Sequence, residues 1–396
     1  MSVSSDGAPA RGGELWRDRA FARWAGATLL VQMPGFMAPL AFVAIGLAAT
    51  HTARTGGLMV AAEVVGLSLF APFTGRLIDR VGPAPGIVAS AGAGLVVYLA
   101  MAAATARGGD GGLLVLLAGL AGVAASSRAA GARTLLDDVV AARLHVAALR
   151  VNATLMEVMV LTAPFLVGAA AVLSAAAVPV AMAALLAAGG PLVAGLPRRP
   201  AAAAPSHGTA TRRSFGPFLR SRPFWFWVAV QAAFGQVLGT VEPSALPWAR
   251  QLGQGTFAAA TALAVLSAAG IAASVAYLRV PPGRVRPPTE ALVIVGLLVV
   301  GTVGFALSRT WIEGACALGL CGVATVPLNA LTAHAAAHAM PAGRRAEGYA
   351  ILGSVYAAGY ALGSVTLAVL PLRATLLAGA AFGVAVLALT PLWRRV

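Results

Sequence analysis

The chain alternates long apolar runs with short polar turns. Twelve runs fall at about residues 23–47, 56–74, 85–106, 112–132, 151–173, 177–196, 223–246, 256–278, 290–307, 311–333, 348–370 and 374–393. Most approach the ~20 apolar residues that carry an α-helix across ~30 Å of hydrocarbon. The pattern predicts an all-α integral membrane protein of twelve spans. The turns are too short to hold a soluble domain. Residues 1–20 are polar and Arg-bearing, and the run after them exceeds the ~7–15 residues of a signal-peptide core, so it reads as a retained first span.

The longest polar stretch, RRPAAAAPSHGTATRRSFGPFLRSR, has no apolar periodicity and is rich in Ala, Pro, Ser, Thr and Arg, the composition of a linker. It divides the chain into an N-terminal segment (1–22), a six-helix bundle (23–197), the linker (198–222), a second six-helix bundle (223–393) and a short tail (394–396). The halves repeat weakly, as parallel repeats of transporters do. The first span is interrupted by Pro34, Gly35 and Pro39, and the seventh by Glu242, Pro243 and Pro247. Pro forfeits a backbone hydrogen bond, which lipid tolerates only where neighbours or water restore it, so paired breaks point towards a cavity.

Composition sharpens this picture. The chain is 59% hydrophobic and 10% charged, with a mean hydropathy of +0.85, against about 45–50% and 25% for soluble domains. The net charge of +15 would suggest nucleic acid were it not for its placement. All 28 basic residues are Arg: with the N-terminus inside, five (Arg54, Arg107, Arg250, Arg309 and Arg373) fall on external turns, Arg128 falls in a span, and the other 22 are cytoplasmic. That bias is the positive-inside rule. It implies a bacterial plasma-membrane protein with both termini cytoplasmic, partnered by lipid and not by nucleic acid. Cys316 and Cys321 share one span, so no disulfide framework is implied.

The turn GRLIDRVG, between the second and third runs, resembles the signature loop of the major facilitator superfamily at Gly75, Leu77, Asp79, Arg80 and Gly82. Pro83 and Ala84 replace the basic pair that normally follows. The stretches Arg133–Gly168, Val241–Pro247 and Ala346–Ser364 look like an actinobacterial, drug-efflux-like branch of that superfamily, with Ala163 replacing a Gly before Pro164. The resemblance implies two pseudo-symmetric six-helix bundles around a central cavity, an alternating-access cycle, and a clasp made by Asp79 and Arg80 that forms in the outward-open state.

Three carboxylates lie within spans: Glu63, Glu157 and Glu242. A charge at the bilayer centre costs at least ~2.5–3.5 kcal/mol, so each is either a proton carrier facing a cavity or a hydrogen-bonding partner of another span. Glu157, ~12 Å into the membrane from Leu149 at 1.5 Å per residue, is the foremost candidate. Glu242 is placed nearer the outer rim. Gln32, Asn152, Asn329, Tyr356 and Tyr360 are further cavity candidates. Arg128 is read as structural, paired with Asp137 or Asp138, and Pro34, Pro164 and Pro243 as shaping their helices. His334 and His338 have ligand spacing but lack the Glu of HExxH, so no metal or cofactor is expected. Without Lys there is no Walker loop for ATP.

These readings converge on a non-enzymatic, monomeric secondary active transporter that exports a small apolar or cationic molecule in exchange for protons. Import on the same fold, or a membrane sensor that no longer transports, are the alternatives.

Overall fold

In the computed structural model the described residues are 15, 17–141, 144–196, 221–277, 279, 286–340 and 345–389. Residues 198–220 of the expected linker, the turn at residues 280–285, the first fourteen residues and the tail lie outside them, as do the side chains of Asp79, Asp137, His334 and His338. Thirteen helices are described: α1 (Arg19–Thr50), α2 (Ala53–Val81), α3 (Pro83–Ala106), α4 (Gly111–Ala125), α5 (Arg128–Val139), α6 (His145–Leu173), α7 (Ala177–Ala194), α8 (Arg222–Gln251), α9 (Thr256–Tyr277), α10 (Pro287–Leu307), α11 (Trp311–Ala339), α12 (Arg345–Val369) and α13 (Leu372–Ala388). Ten helical segments are long and apolar enough to cross a membrane, and α4 and α13 are shorter apolar helices.

Local chemistry sets the helix ends. The Asp18 carboxylate caps α1 by accepting from the Ala20 amide at 2.8 Å, Asp110 caps α4 through Leu113, and Thr310 with Glu313 forms a capping box on α11. The stretch expected as a polar turn is largely helical: α2 runs through Gly75 to Val81, since no Pro lies between Gly75 and Gly82. Gly82 alone makes the corner, at φ +91°, a conformation open to a residue without a side chain, and Pro83 then starts α3.

The fourth run also differs from its expected continuous span. It breaks at Ser126 and Ser127, and α5 starts at Arg128. Ser126 Oγ bonds the Val123 carbonyl at 2.7 Å and lies 3.0 Å from Thr74 Oγ1, so side-chain bonding competes with the helix there. Residues 133–150 are divided between the end of α5 and the start of α6. Trp24 Nε1 ties α1 to α5 through the Ala132 carbonyl at 2.9 Å.

Helices α1–α7 form one bundle and α8–α13 the other. Glycine lets backbones meet within each: Gly122 of α4 lies against the Glu63 carbonyl of α2, and Gly322 of α11 against the Leu266 carbonyl of α9, equivalent contacts in the two halves. The bundles join along two seams, α2 with α12 and α6 with α9. Large apolar side chains such as Leu69, Phe73, Val96, Leu116 and Val172 point outward, as a lipid-facing surface requires.

Candidate functional site: a two-lobed central cavity

Between the bundles lies a cavity in two lobes, of about 830 and 380 Å³. Gly35, Phe36 and Pro39 of α1 and Tyr356 of α12 line both lobes. The stretch of the first span expected to be interrupted stays helical through Pro34 and Pro39 and forms the wall between them. The larger lobe extends from mid-helix towards the end where α1 begins, past Pro72 of α2, Ala125 of α4 and Ala350 of α12, whereas the smaller lobe stays at mid-helix. At the opposite end the seams are closed: a Cβ on Gly57 of α2 would fall 2.6 Å from the Ser364 carbonyl oxygen of α12, and one on Gly168 of α6 would fall 3.3 Å from the Cβ of Ala260 on α9.

The larger lobe holds Glu63 from α2, Arg128 at the start of α5, and Gln32 from α1. All three are buried, Arg128 to 3% exposure. Glu63 and Arg128 interact electrostatically, and Tyr98 of α3 lies beside the guanidinium. Arg128 thus faces into the bundle beside Gly94, a close neighbour of its Nη1, instead of emerging at a surface. Tyr98 escaped the sequence reading, although a lone phenol in an apolar span is the same kind of signal as an intramembrane acid.

The smaller lobe is acidic and aromatic. Glu242 of α8 and Glu157 of α6 both line it, with Phe234, Tyr356, Pro164 and Asn329, and no basic residue is among its lining residues. Tyr360 donates its hydroxyl to Glu242 Oε2 at 2.5 Å. The ring of Tyr356 packs 5.3 Å from Phe234 and 6.1 Å from Tyr360, centroid to centroid. Gly235 and Gly239 lie under the carbonyls of Tyr356 and Tyr360, which lets α8 and α12 approach and brings Tyr360 within reach of Glu242. Glu242 sits deeper than its predicted rim position because α8 continues unbroken to Gln251. Glu157 is only half-buried.

Other candidates lie apart from this centre. Asn152 is buried but is not among the lining residues, and its Oδ1 has no hydrogen-bond partner among the described residues. Pro34 and Pro243 are buried in α1 and α8 without lining either lobe. Leu77 and Arg80 are exposed, and Ile78 is the buried member of that stretch.

The sequence profile described as Major Facilitator Superfamily matches residues 24–364. The chain belongs to the major facilitator superfamily. Among solved structures of that fold, the nucleoside transporter NupG is similar with a TM-score of 0.75 at 13% identity, covering 93% of this chain and 97% of that one. A bacterial homolog of the human lysosomal transporter Spinster, in an inward-facing and occupied conformation, gives 0.73 at 14% identity, covering 96% and 97%. Identities this low show the fold alone. No curated protein sequence matches the chain. The protein is thus a multi-pass membrane protein with the superfamily's transporter fold, and its two lobes lie between the two bundles of that fold.

Proposed function

We propose that this chain is a secondary active transporter of the bacterial plasma membrane, working by alternating access and exporting a small apolar or cationic molecule against inward proton flow. The observation that carries the reading is the smaller lobe: two carboxylates, Glu242 and Glu157, among aromatic rings and without a base. An aromatic, acidic cavity attracts cations through ring faces and charge. A carboxyl held away from water can also exchange a proton for that cation. The positive-inside reading of the Arg pattern makes the open end cytoplasmic, so this conformation would be the inward-open one. Export draws its support from the resemblance of the Arg133–Gly168, Val241–Pro247 and Ala346–Ser364 stretches to drug-efflux-like relatives.

The test is proton movement by the purified protein in proteoliposomes while lipophilic cations and neutral drugs are added, for wild type, Glu157→Gln and Glu242→Gln. Coupled export requires substrate-driven proton flux in the wild type and a loss of about a hundredfold or more in one variant, the range typical of removing a proton-transfer group. Substrate flux that persists without proton flux would point to a facilitator. Equal flux in all three proteins would remove both acids from the proton path.

A further inference from the structure

The smaller lobe holds more than its two acids and its rings. Four side chains lining it carry a hydroxyl or an amide: Ser267, Thr325, Asn329 and Tyr356. Two of these are already committed to backbone. Ser267 donates to the Leu263 carbonyl at 3.1 Å, and Thr325 to the Gly322 carbonyl at 2.8 Å. Asn329 and the Tyr356 hydroxyl have no hydrogen-bond partner among the described residues. Both can be reached: Asn329 is exposed, and the Tyr356 hydroxyl, unlike that of Tyr98, is not sealed in the packing. The Tyr356 ring is held between Phe234 and Tyr360, which fixes where its hydroxyl sits. Asn329 and Tyr356 lie ~15–17 Å from the adjoining ends of α11 and α12, and Glu242 lies ~30 Å along α8 from Arg222, at 1.5 Å per residue. Glu242 is therefore the deeper group, and the amide and hydroxyl share a level nearer the open end.

We propose that Asn329 and the Tyr356 hydroxyl are specificity-determining residues: they select, among cations, those that carry a neutral acceptor oxygen set back from the positive charge. Carboxylates only accept hydrogen bonds, so a donor on the substrate is served by Glu157 or Glu242. An acceptor on the substrate needs a proton from the wall, and the open ones belong to Asn329 and Tyr356. A negatively charged acceptor would meet two acids in the same lobe, which leaves a ketone, ester, amide or ether oxygen. The substrate class is thus a cation that places its charge at Glu242 and its carbonyl-type group one level nearer the open end. Phe36 and Phe234, which also line the lobe, would flank the apolar part between them. This deepens the reading of the smaller lobe as a cation site and rests on it.

The test is equilibrium binding to the full chain in lipid nanodiscs. The probes are phenylhexyltrimethylammonium and a series in which a ketone replaces each chain methylene in turn. A matched uncharged series carries tert-butyl in place of trimethylammonium. Wild type should bind one ketone member about tenfold more tightly than the parent, the effect of one or two hydrogen bonds from otherwise unpaired donors. Asn329→Leu and Tyr356→Phe should each bring that ratio towards unity, and Tyr356→Phe keeps the ring against Phe234, so the test stays decisive if the Asn329 variant fails to fold. No preferred ketone position in wild type, or the same ratio in wild type and both variants, overturns the proposal. The cation reading fails separately, if the parent and its tert-butyl counterpart bind alike; a ketone preference in the uncharged series would then still uphold Asn329 and Tyr356. Binding of neither series overturns both.

Discussion

At the residue scale, the cavity depends on what holds each polar group in place. Tyr360 gives Glu242 a charge-assisted hydrogen bond inside a low-dielectric wall, a class worth about 1.5–3 kcal/mol. Tyr360→Phe keeps the ring and removes that donor. Its expected effect is a loss of about ten- to a hundredfold in transport of lipophilic cations, with little change for neutral compounds, read as initial rates in proteoliposomes. An equal loss for both classes would make Tyr360 a packing residue. The acids and the tyrosines of α12 were legible in the sequence because polar side chains are rare in such apolar runs, whereas Tyr98 became relevant only once α3 packed it beside Arg128, and Phe234 only once α8 lined the smaller lobe. The expectation that Glu157 leads the three acids came from depth along one helix. Burial depends on neighbouring helices, and these enclose Glu63 and Glu242 more fully.

At the element scale, close helix pairs depend on residues without side chains. A Cβ at Gly235 would run into the Tyr356 carbonyl, and one at Gly322 into the Leu266 carbonyl, both backbone atoms that cannot rotate aside. Gly235→Ala and Gly322→Ala should each destabilise by about 1–3 kcal/mol, the usual penalty of overpacking, seen as a lower midpoint of thermal unfolding in detergent. Gly92→Ala and Gly296→Ala meet open space and should be neutral or stabilising by about 0.5–1 kcal/mol, since Ala favours a helix interior. If all four behaved alike, helix propensity and not interhelical contact would be the controlling effect. Apolar run length located these helices, but it could not reveal the break before Arg128. At that break Thr74, on another helix, meets Ser126.

At the scale of the whole molecule, the two seams decide which end of the cavity is open. Gly168 and Ala260 approach closely across the α6–α9 seam at the closed end, near the Cβ separations of ~3.5–4.5 Å that a disulfide accepts. With Cys316 replaced by Ser, the pair Gly168→Cys and Ala260→Cys should cross-link readily and halt transport, and reductant should restore it. Full transport by the cross-linked protein would show that this seam does not part during the cycle. The sequence by itself determined the class of the molecule. Apolar runs of membrane length must become helices because lipid offers no partner to a bare backbone, and the Arg pattern together with the signature stretch at Gly75–Gly82 pointed to orientation and family. Only the tertiary structure decided how the polar residues divide: Glu242 and Glu157 into an acidic, aromatic lobe, and Glu63, Arg128 and Gln32 into one where an acid and a guanidinium face each other. That division depends on which helix faces lie together across distant stretches of chain, and contacts of that kind are set by packing between helices, which hydrophobic periodicity along one chain does not encode.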